Sequence, residues 1–418
     1  MTTAPAPTET TREFTDLTDA EVVDRARALR ELIRSQQDEA EKLGHYTEEV
    51  HQALLDAGLY HVLTPKRYGG PELSVKTFMR VAMEIATGDP GSGWSYTLGQ
   101  AHNLTAAAQL PEQVQDRIFR TEAGYYRGPL SYTSNATAKR VDGGFVVTGK
   151  VPYSSGVSFS THAQVRVVVE GETHGDGIPV SLIALLPRAD YTIADDWGAD
   201  HVLGMRASGS QSVLIDDVFV PDENVVPMQW IGDADPATSG AAVHDNPMYL
   251  GIPQSMLNLE LAAIAVGTAR AAQDEFERLA HGRTSLLPPF NPRDADPFFQ
   301  REFGEASFKA DAAEAIVLQI CDRIAEWSAA AYREGKPFTN AMDASLFGMG
   351  IQAARLASDA VEQLFRAAGS SAARPGQRME RYLRDNFTYQ THMAAQYGAW
   401  AQLIGATKLG MVQGVELK

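Results

Sequence analysis

A chain of 418 residues is too long for one ordinary core and suits two or three packed domains. Its 44% hydrophobic and 21% charged residues are those of a globular protein, and a net charge of −17 with no compensating basic face excludes duplex nucleic acid and anionic membrane surfaces as partners. The one cysteine, Cys321, lies in an apolar helical run and excludes a disulfide framework and a thiolate metal cluster.

Residues 1–15 are rich in Thr, Pro and Glu, lack the basic start and apolar stretch of a signal peptide, and read as a disordered tail. No run reaches the roughly 18 apolar residues of a membrane span, so the expected compartment is the cytoplasm. Residues 16–130 are predicted to form a helical domain. Thr18 can cap a helix whose apolar positions, Val22, Ala26, Leu29, Leu32 and Ile33, recur at helical spacing. A helix over His51–Ala57 stops at Gly58, and the Pro and Gly content of Leu63–Pro71 marks a turn. Val75–Ala86 reads as an amphipathic helix. Gly91–Gly93 should break the chain before a buried helix over Trp94–Ala108.

Residues 131–240 change character. Short β-branched runs such as Ala163–Val169 and Ser181–Leu186, with a hairpin signal at Asp142-Gly-Gly144, predict a small antiparallel β domain. Residues 241–418 return to long Ala-rich helices, Leu257–Leu279, Glu302–Tyr332, Asn340–Ala368 and Arg378–Leu409, which predict an antiparallel four-helix bundle. Prolines 288, 289, 292 and 297 mark one connecting loop, and Gly369 marks a turn. The predicted fold class is α+β, mainly α: helices, a central β domain, then the bundle.

The sequence has no Gly-x-Gly-x-x-Gly fingerprint, P-loop, His-Glu-x-x-His or Gly-x-Ser-x-Gly elbow. Six segments instead carry a resemblance, in order: Tyr68-Gly-Gly70, Asp89-Pro-Gly-Ser-Gly-Trp94, Gly144-Phe-Val-Val-Thr-Gly149, Leu203-Gly-Met-Arg-Ala-Ser-Gly-Ser210, Asp217-Val-Phe-Val-Pro221 and Arg381-Tyr-Leu-Arg-Asp385. Together they resemble the acyl-CoA dehydrogenase superfamily over nearly the whole chain. The details are similar to its flavin-dependent monooxygenase branch, the oxygenase components of two-component systems such as p-hydroxyphenylacetate hydroxylase and dibenzothiophene monooxygenase.

Typical dehydrogenases of the superfamily carry a catalytic Glu eight residues after the Asp of the last motif. Here that position is Met393, and no Asp or Glu occurs from Asn386 to Val415. The oxygenases carry a His seven residues after the Asp, where His392 stands. Imidazole exchanges protons near neutral pH, so the resemblance implies a catalytic His392 that removes a phenolic proton. Ser155 and Gly156, in Val151-Pro-Tyr-Ser-Ser-Gly156, match the strand end that lies against the flavin, with Val151 where an aromatic residue is usual. Ser155 is expected to support catalysis there. Trp94, His102 and Ser131 match positions around the substrate pocket, although Trp94 fits core packing as well. Arg283 resembles the arginine that reaches a flavin phosphate, often across a subunit boundary, and the hydroxyls of Ser370 and Ser371 suit the same anion. Met205-Arg206 reads as structural.

The resemblance further implies FMN, supplied as FMNH2 with FAD as an option, and O2 activated as a C4a-hydroperoxyflavin. It implies a separate NAD(P)H:flavin reductase, a homotetramer, and a small aromatic, phenolic substrate. S- or N-oxygenation uses the same chemistry. An acyl-CoA dehydrogenase with bound FAD and a relocated base, Glu260 or Glu275, remains a second reading, and a non-catalytic scaffold a third. No metal site is expected.

Overall fold

The computed structural model describes residues 14–133, 135–286 and 288–411. Residues 1–13, most of the predicted tail, lie outside them. Phe14, assigned to that tail, is buried, and its ring stacks on His61.

Among the described residues eight short and medium helices come first: α1 Asp19–Ala28, α2 Arg30–Ser35, α3 Gln37–Leu43, α4 Glu48–Asp56, α5 Val75–Gly88, α6 Pro90–Ala101, α7 Asn103–Gln109 and α8 Glu112–Ile118. Thr18 and Glu21 form a reciprocal capping box at the start of α1. The predicted break at Gly91–Gly93 is absent, because these glycines form the first turn of α6. Asp89 caps that turn, its Oδ2 accepting from the Ser92 N–H at 2.7 Å, and Pro90 occupies the first helical position. The glycines are there for packing: a Cβ on Gly93 would lie 2.5 Å from that of Ala86. The helical run instead breaks at His102, between α6 and α7.

The central strands are β1 Leu130–Ser131, β2 Thr137–Val141, β3 Gly144–Val151, β4 His162–Thr173, β5 Pro179–Pro187, β6 Thr192–Ile193, β7 Val213–Pro221 and β8 Val225–Val226. They form one sheet in the order β6-β7-β3-β2-β4-β5-β8, with β1 on β4. The sheet is mixed, not purely antiparallel as the hairpin signals suggested. β2 and β3 pair antiparallel through the Asp142-Gly143 turn, but β4 then returns on the far side of β2 and runs parallel to it, as β1 does to β4. Local turn signals report only the hairpin; the strand that skips over its neighbour leaves no such mark.

A short helix, α9 Gly240–His244, leads into the bundle: α10 Gln254–His281, α11 Pro297–Glu334, α12 Asn340–Ala368 and α13 Arg378–Gln390, followed by α14 Tyr397–Lys408. α10 is buried on nearly every face, as a bundle's central helix should be. Its N-terminus is capped from another helix, since the Asp343 carboxylate of α12 accepts from the N–H groups of Gln254 and Ser255 at 2.6 and 3.1 Å. Cys321 is a core residue of α11, and burial pushes its thiol up to about 12. Among the described residues no helix is long and apolar enough to cross a membrane.

The predicted continuous helix Arg378–Leu409 is interrupted at Thr391–Gln396. Side chains stand in for the missing helical donors. Gln396 Nε2 donates to the carbonyls of Gln390 and Thr391, Trp400 Nε1 to that of Met393, and Asn258 Nδ2 of α10 to that of Ala394. Helical periodicity cannot register such a break, because each residue in it still reads as compatible with a helix.

Candidate functional site

The break in the last helix, the face of α6 that carries Trp94 and Leu98, and the ends of β1 and β3 meet around a cavity of about 360 Å³. Trp94, His102, Ser131, Ser155 and His392 all line it, although they come from four separated stretches of chain. Elements from all three parts of the fold contribute, including the α10 face bearing Leu257, Glu260 and Leu261.

Two of the lining groups are histidines placed at helix ends. His392 precedes the 3-10 turn Met393–Ala395, and its Nδ1 accepts the Ala394 N–H at 3.2 Å. His102 closes α6, and its Nδ1 accepts the Leu130 N–H at 2.9 Å. A backbone N–H can only donate, so each ring is fixed as the tautomer with its proton on Nε2. Burial pushes both pKa values down to about 4, and the Leu98 carbonyl opposes this only partly at His102. Both histidines are therefore neutral donors at neutral pH. The Nδ1 lone pair of His392, the atom that would take up a phenolic proton, is occupied by the Ala394 N–H.

A row of hydroxyls runs along the adjacent wall. Trp94 Nε1 donates to Ser155 Oγ at 2.9 Å, Ser155 pairs with Ser210 at 2.8 Å, and Ser210 with Ser208 at 2.7 Å. Indole N–H has one direction only, so Ser155 always accepts from Trp94, while the serine protons can point either way along the row. Trp94 is thus a wall residue with a polar anchor as well as a packed one. Opposite, Ser154 Oγ donates to the Val151 carbonyl at 3.3 Å and pairs with Ser131 at 3.0 Å. That leaves Ser131 donating to Ser154, with its own lone pairs available to the cavity.

Gly156 does not line the cavity. Its φ is 80°, its N–H bonds the Gly209 carbonyl at 2.8 Å, and a Cβ would sit 2.4 Å from the Ser95 carbonyl. The glycine lets this loop close against α6. Arg127, fully buried, completes that closure by donating from Nε to the Gly156 carbonyl at 3.1 Å and from Nη2 to the Ser95 carbonyl. Met205, read as structural, is in the left-handed region at φ 53° and stands on the cavity wall. Its N–H is held by Asp385 Oδ1 at 2.6 Å, which ties α13 to the β domain.

Arg283, Ser370 and Ser371 are not at the cavity. Arg283 Nη1 donates to Ser371 Oγ at 2.6 Å on the far part of the bundle, and Ser370 is exposed beside it. Arg293, which the sequence did not flag, donates its Nη1 to the Ala368 carbonyl at 3.1 Å next to the same turn. Glu275 is also outside the cavity, paired with Arg278 at 2.6 Å. Glu260 is in the wall, where burial alone raises its carboxyl to about 8. Tyr132, Tyr389, Ser208 and Ser210 were missed as site residues. The two serines lie in a quoted motif, but its turn residues masked them.

The hydroxyl row and aromatic walls fit an isoalloxazine edge, and a guanidinium with adjacent hydroxyls fits a phosphate. One copy of the chain does not bring the two sets together.

Comparison with known proteins agrees with this architecture. The family model for the acyl-CoA dehydrogenase N-terminal domain matches residues 18–113, and that for the C-terminal domain residues 259–397. The chain is 28% identical to a pigment production hydroxylase from a Rhodococcus species, covering 95% of this chain and 98% of that protein. It is also 28% identical to the flavin-dependent monooxygenase oxygenase subunit HsaA of Rhodococcus jostii, covering 88% and 92% respectively. The crystal structure of 3-HSA hydroxylase from Rhodococcus sp. RHA1 superposes with a TM-score of 0.82 at 25% identity, covering 94% of this chain and 97% of that one. With both domain models matched and this cavity between them, the chain belongs to the acyl-CoA dehydrogenase superfamily, in its branch of flavin-dependent monooxygenase oxygenase components.

Proposed function

We propose that the cavity is the reaction chamber of a reduced-flavin-dependent monooxygenase that hydroxylates a small phenolic compound. The observation that carries this reading is the convergence of Trp94, His102, Ser131, Ser155 and His392 on one cavity, with both imidazoles fixed as Nε2–H donors. Bound reduced flavin supplies two electrons to O2, so that one oxygen atom enters the substrate ring and the other leaves as water. The chain's own residues do the rest. His392 and His102 donate to the phenolic oxygen and orient the ring, while the lone pairs of Ser131 accept from a hydroxyl. Ser155, with Ser210 and Ser208 behind it, presents a hydroxyl whose proton can face the flavin edge. Burial of the walls keeps water from the reacting atoms.

FMN is the flavin proposed, delivered already reduced by a separate NAD(P)H-dependent reductase, with FAD as the alternative. Arg283, Ser370 and Ser371 are assigned to its phosphate in a neighbouring copy, within a homotetramer. The cytoplasm, where reduced nicotinamide is available, is the compartment that goes with this arrangement.

The test is to supply reduced FMN and heavy-isotope O2 with panels of phenols, thioethers and amines. A phenol product carrying one heavy oxygen is expected. Oxygenation confined to sulfur or nitrogen would move the reaction class. The second reading, a dehydrogenase with FAD and a base on a bundle helix, has the position of Glu260 in its favour. Reduction of bound FAD by an acyl-CoA thioester, without any oxygenated product, would establish it instead.

A further inference from the structure

Leu257, Glu260 and Leu261 occupy one face of α10, three and four residues apart, and all three line the cavity. Glu260 is 2% exposed. Among the described residues no hydrogen-bond donor is recorded at its carboxyl, burial raises its pKa to about 8, and its charge helps to hold the proton on the neighbouring Tyr132 hydroxyl. Nearby, the Tyr132 and Tyr389 hydroxyls are also buried without a partner. Buried carboxyls are normally paired, because a lone one is costly in either protonation state. A glutamate kept unpaired in the wall of a ligand-sized cavity points to a partner that the ligand brings.

The rest of the wall indicates the charge of that partner. Among the described residues no Arg or Lys lines the cavity. Its histidines, His102 and His392, are held neutral, and Tyr132 and Tyr389 are held protonated by burial. The site can thus offer negative charge and no positive charge. Trp94, Trp400 and Phe347 add aromatic faces, which attract cations. An anionic aromatic would find no counter-charge here, whereas an ammonium would find a carboxylate and aromatic faces.

We propose that the substrate is an aromatic compound bearing a protonated amine, and that the Glu260 carboxylate is the counter-charge that selects it. The inference rests on the cavity being the substrate chamber. As the ammonium enters, the neutral Glu260 acid releases its proton to solvent and pairs as the carboxylate. Glu260 is then a specificity-determining residue that touches substrate without taking part in oxygen transfer.

Calorimetric titration of the full chain with tyramine, p-ethylphenol and p-hydroxyphenylacetate, which share a phenol and differ in tail charge, tests this. Tyramine should bind about tenfold or more tighter than p-ethylphenol, the size of one charge-assisted hydrogen bond. p-Hydroxyphenylacetate should bind weakest. Repeating the tyramine titration in buffers of different ionisation enthalpy should reveal proton release. Glu260→Gln should bring tyramine to within about twofold of p-ethylphenol and abolish the release, with p-ethylphenol binding serving as proof of an intact cavity. Should that variant not fold, Glu260→Asp keeps the charge on a shorter arm and should retain a reduced preference. Equal binding of tyramine and p-ethylphenol by the unaltered chain, a preference that persists in Glu260→Gln, or no binding of tyramine would each overturn the assignment. An oxygenated phenol formed without amine preference would sink only the Glu260 assignment. Amine preference without any oxygenation under reduced flavin would sink only the oxygenase reading.

Discussion

The imidazole of His392 stands edge-on to the indole of Trp94, with ring centroids 5.5 Å apart and planes at 70°. The contact locks the ring that carries the Nε2 proton against the residue that anchors Ser155. His392→Ala should therefore lower hydroxylated product by about 10²-fold or more. Flavin oxidation should continue, with hydrogen peroxide released in place of product. Product and peroxide measured in the same reaction decide the matter, and a variant that hydroxylates with undiminished coupling would remove His392 from the mechanism.

Ser155→Ala leaves the Trp94 N–H buried without its acceptor. Denaturant unfolding should show a loss of about 1–3 kcal/mol. Trp94→Phe removes the donor as well, so the double variant should lose less than the two single losses added together. Strict additivity would mean that the 2.9 Å bond contributes nothing.

Asn258 holds the broken helix through the Ala394 carbonyl and is fully buried. Asn258→Ala should cost about 1–2 kcal/mol of stability and lower kcat/KM, although Asn258 does not line the cavity. Unchanged kinetics in a folded variant would show that His392 keeps its place without this tie.

Burial pushes His61, His102, His162, His244 and His392 down to about 4, and holds Glu260 and Asp385 up at about 8, with Asp89 and Glu41 adding to the shift at Asp385. Histidines of this kind stabilise the fold fully above their ordinary value of about 6.5 and lose that contribution as pH falls toward about 4. The raised carboxyls act oppositely, stabilising at low pH and losing it as pH rises through about 8. Above about pH 6.5 the histidines add nothing further while the carboxyls go on losing their contribution, so stability should decline from about pH 6.5 to about pH 8. Urea midpoints across this range give the answer. A midpoint still climbing between about pH 6.5 and 8 would contradict the carboxyl assignments.

Arg283→Ala should weaken binding of reduced FMN by about tenfold, the contribution of a guanidinium–phosphate bond. Because Arg283 lies away from the cavity, a mixture of Arg283→Ala and Ser155→Ala chains should regain some activity if sites are shared between copies. Titration of each variant, and assay of the mixture, distinguish a shared site from a remote surface arginine.

Much of this was legible in the residues themselves. Thr18 announced its helix cap, Asp142-Gly143 its hairpin, and the Arg384–His392 segment the residue that reaches the cavity. What escaped was set by contacts distant in sequence. The mixed sheet depends on β4 crossing to the far edge of β2. The gap in the last helix depends on Asn258, Gln396 and Trp400 replacing helical donors, and Gly91 and Gly93 read as breakers because Asp89 was not weighed as their cap. The tautomer of His392 follows from a backbone N–H two residues on and its neutrality from burial, neither of which spacing alone reveals. Glu260 was noticed only as a stray base, since the absence of any partner is a three-dimensional fact.

The cap that Asp343 places on the first turn of α10 also bears on the order in which the molecule assembles. The helix that carries Glu260 has no side-chain cap of its own. Its leading amides are satisfied only when α12 has docked. Full ordering of this end of the cavity wall thus depends on helix pairing, since the two amides lose their acceptor when α12 is lifted away. Slow exchange of the Gln254 and Ser255 amides would track the docking of α12 and would act as a clock for the completeness of the chamber.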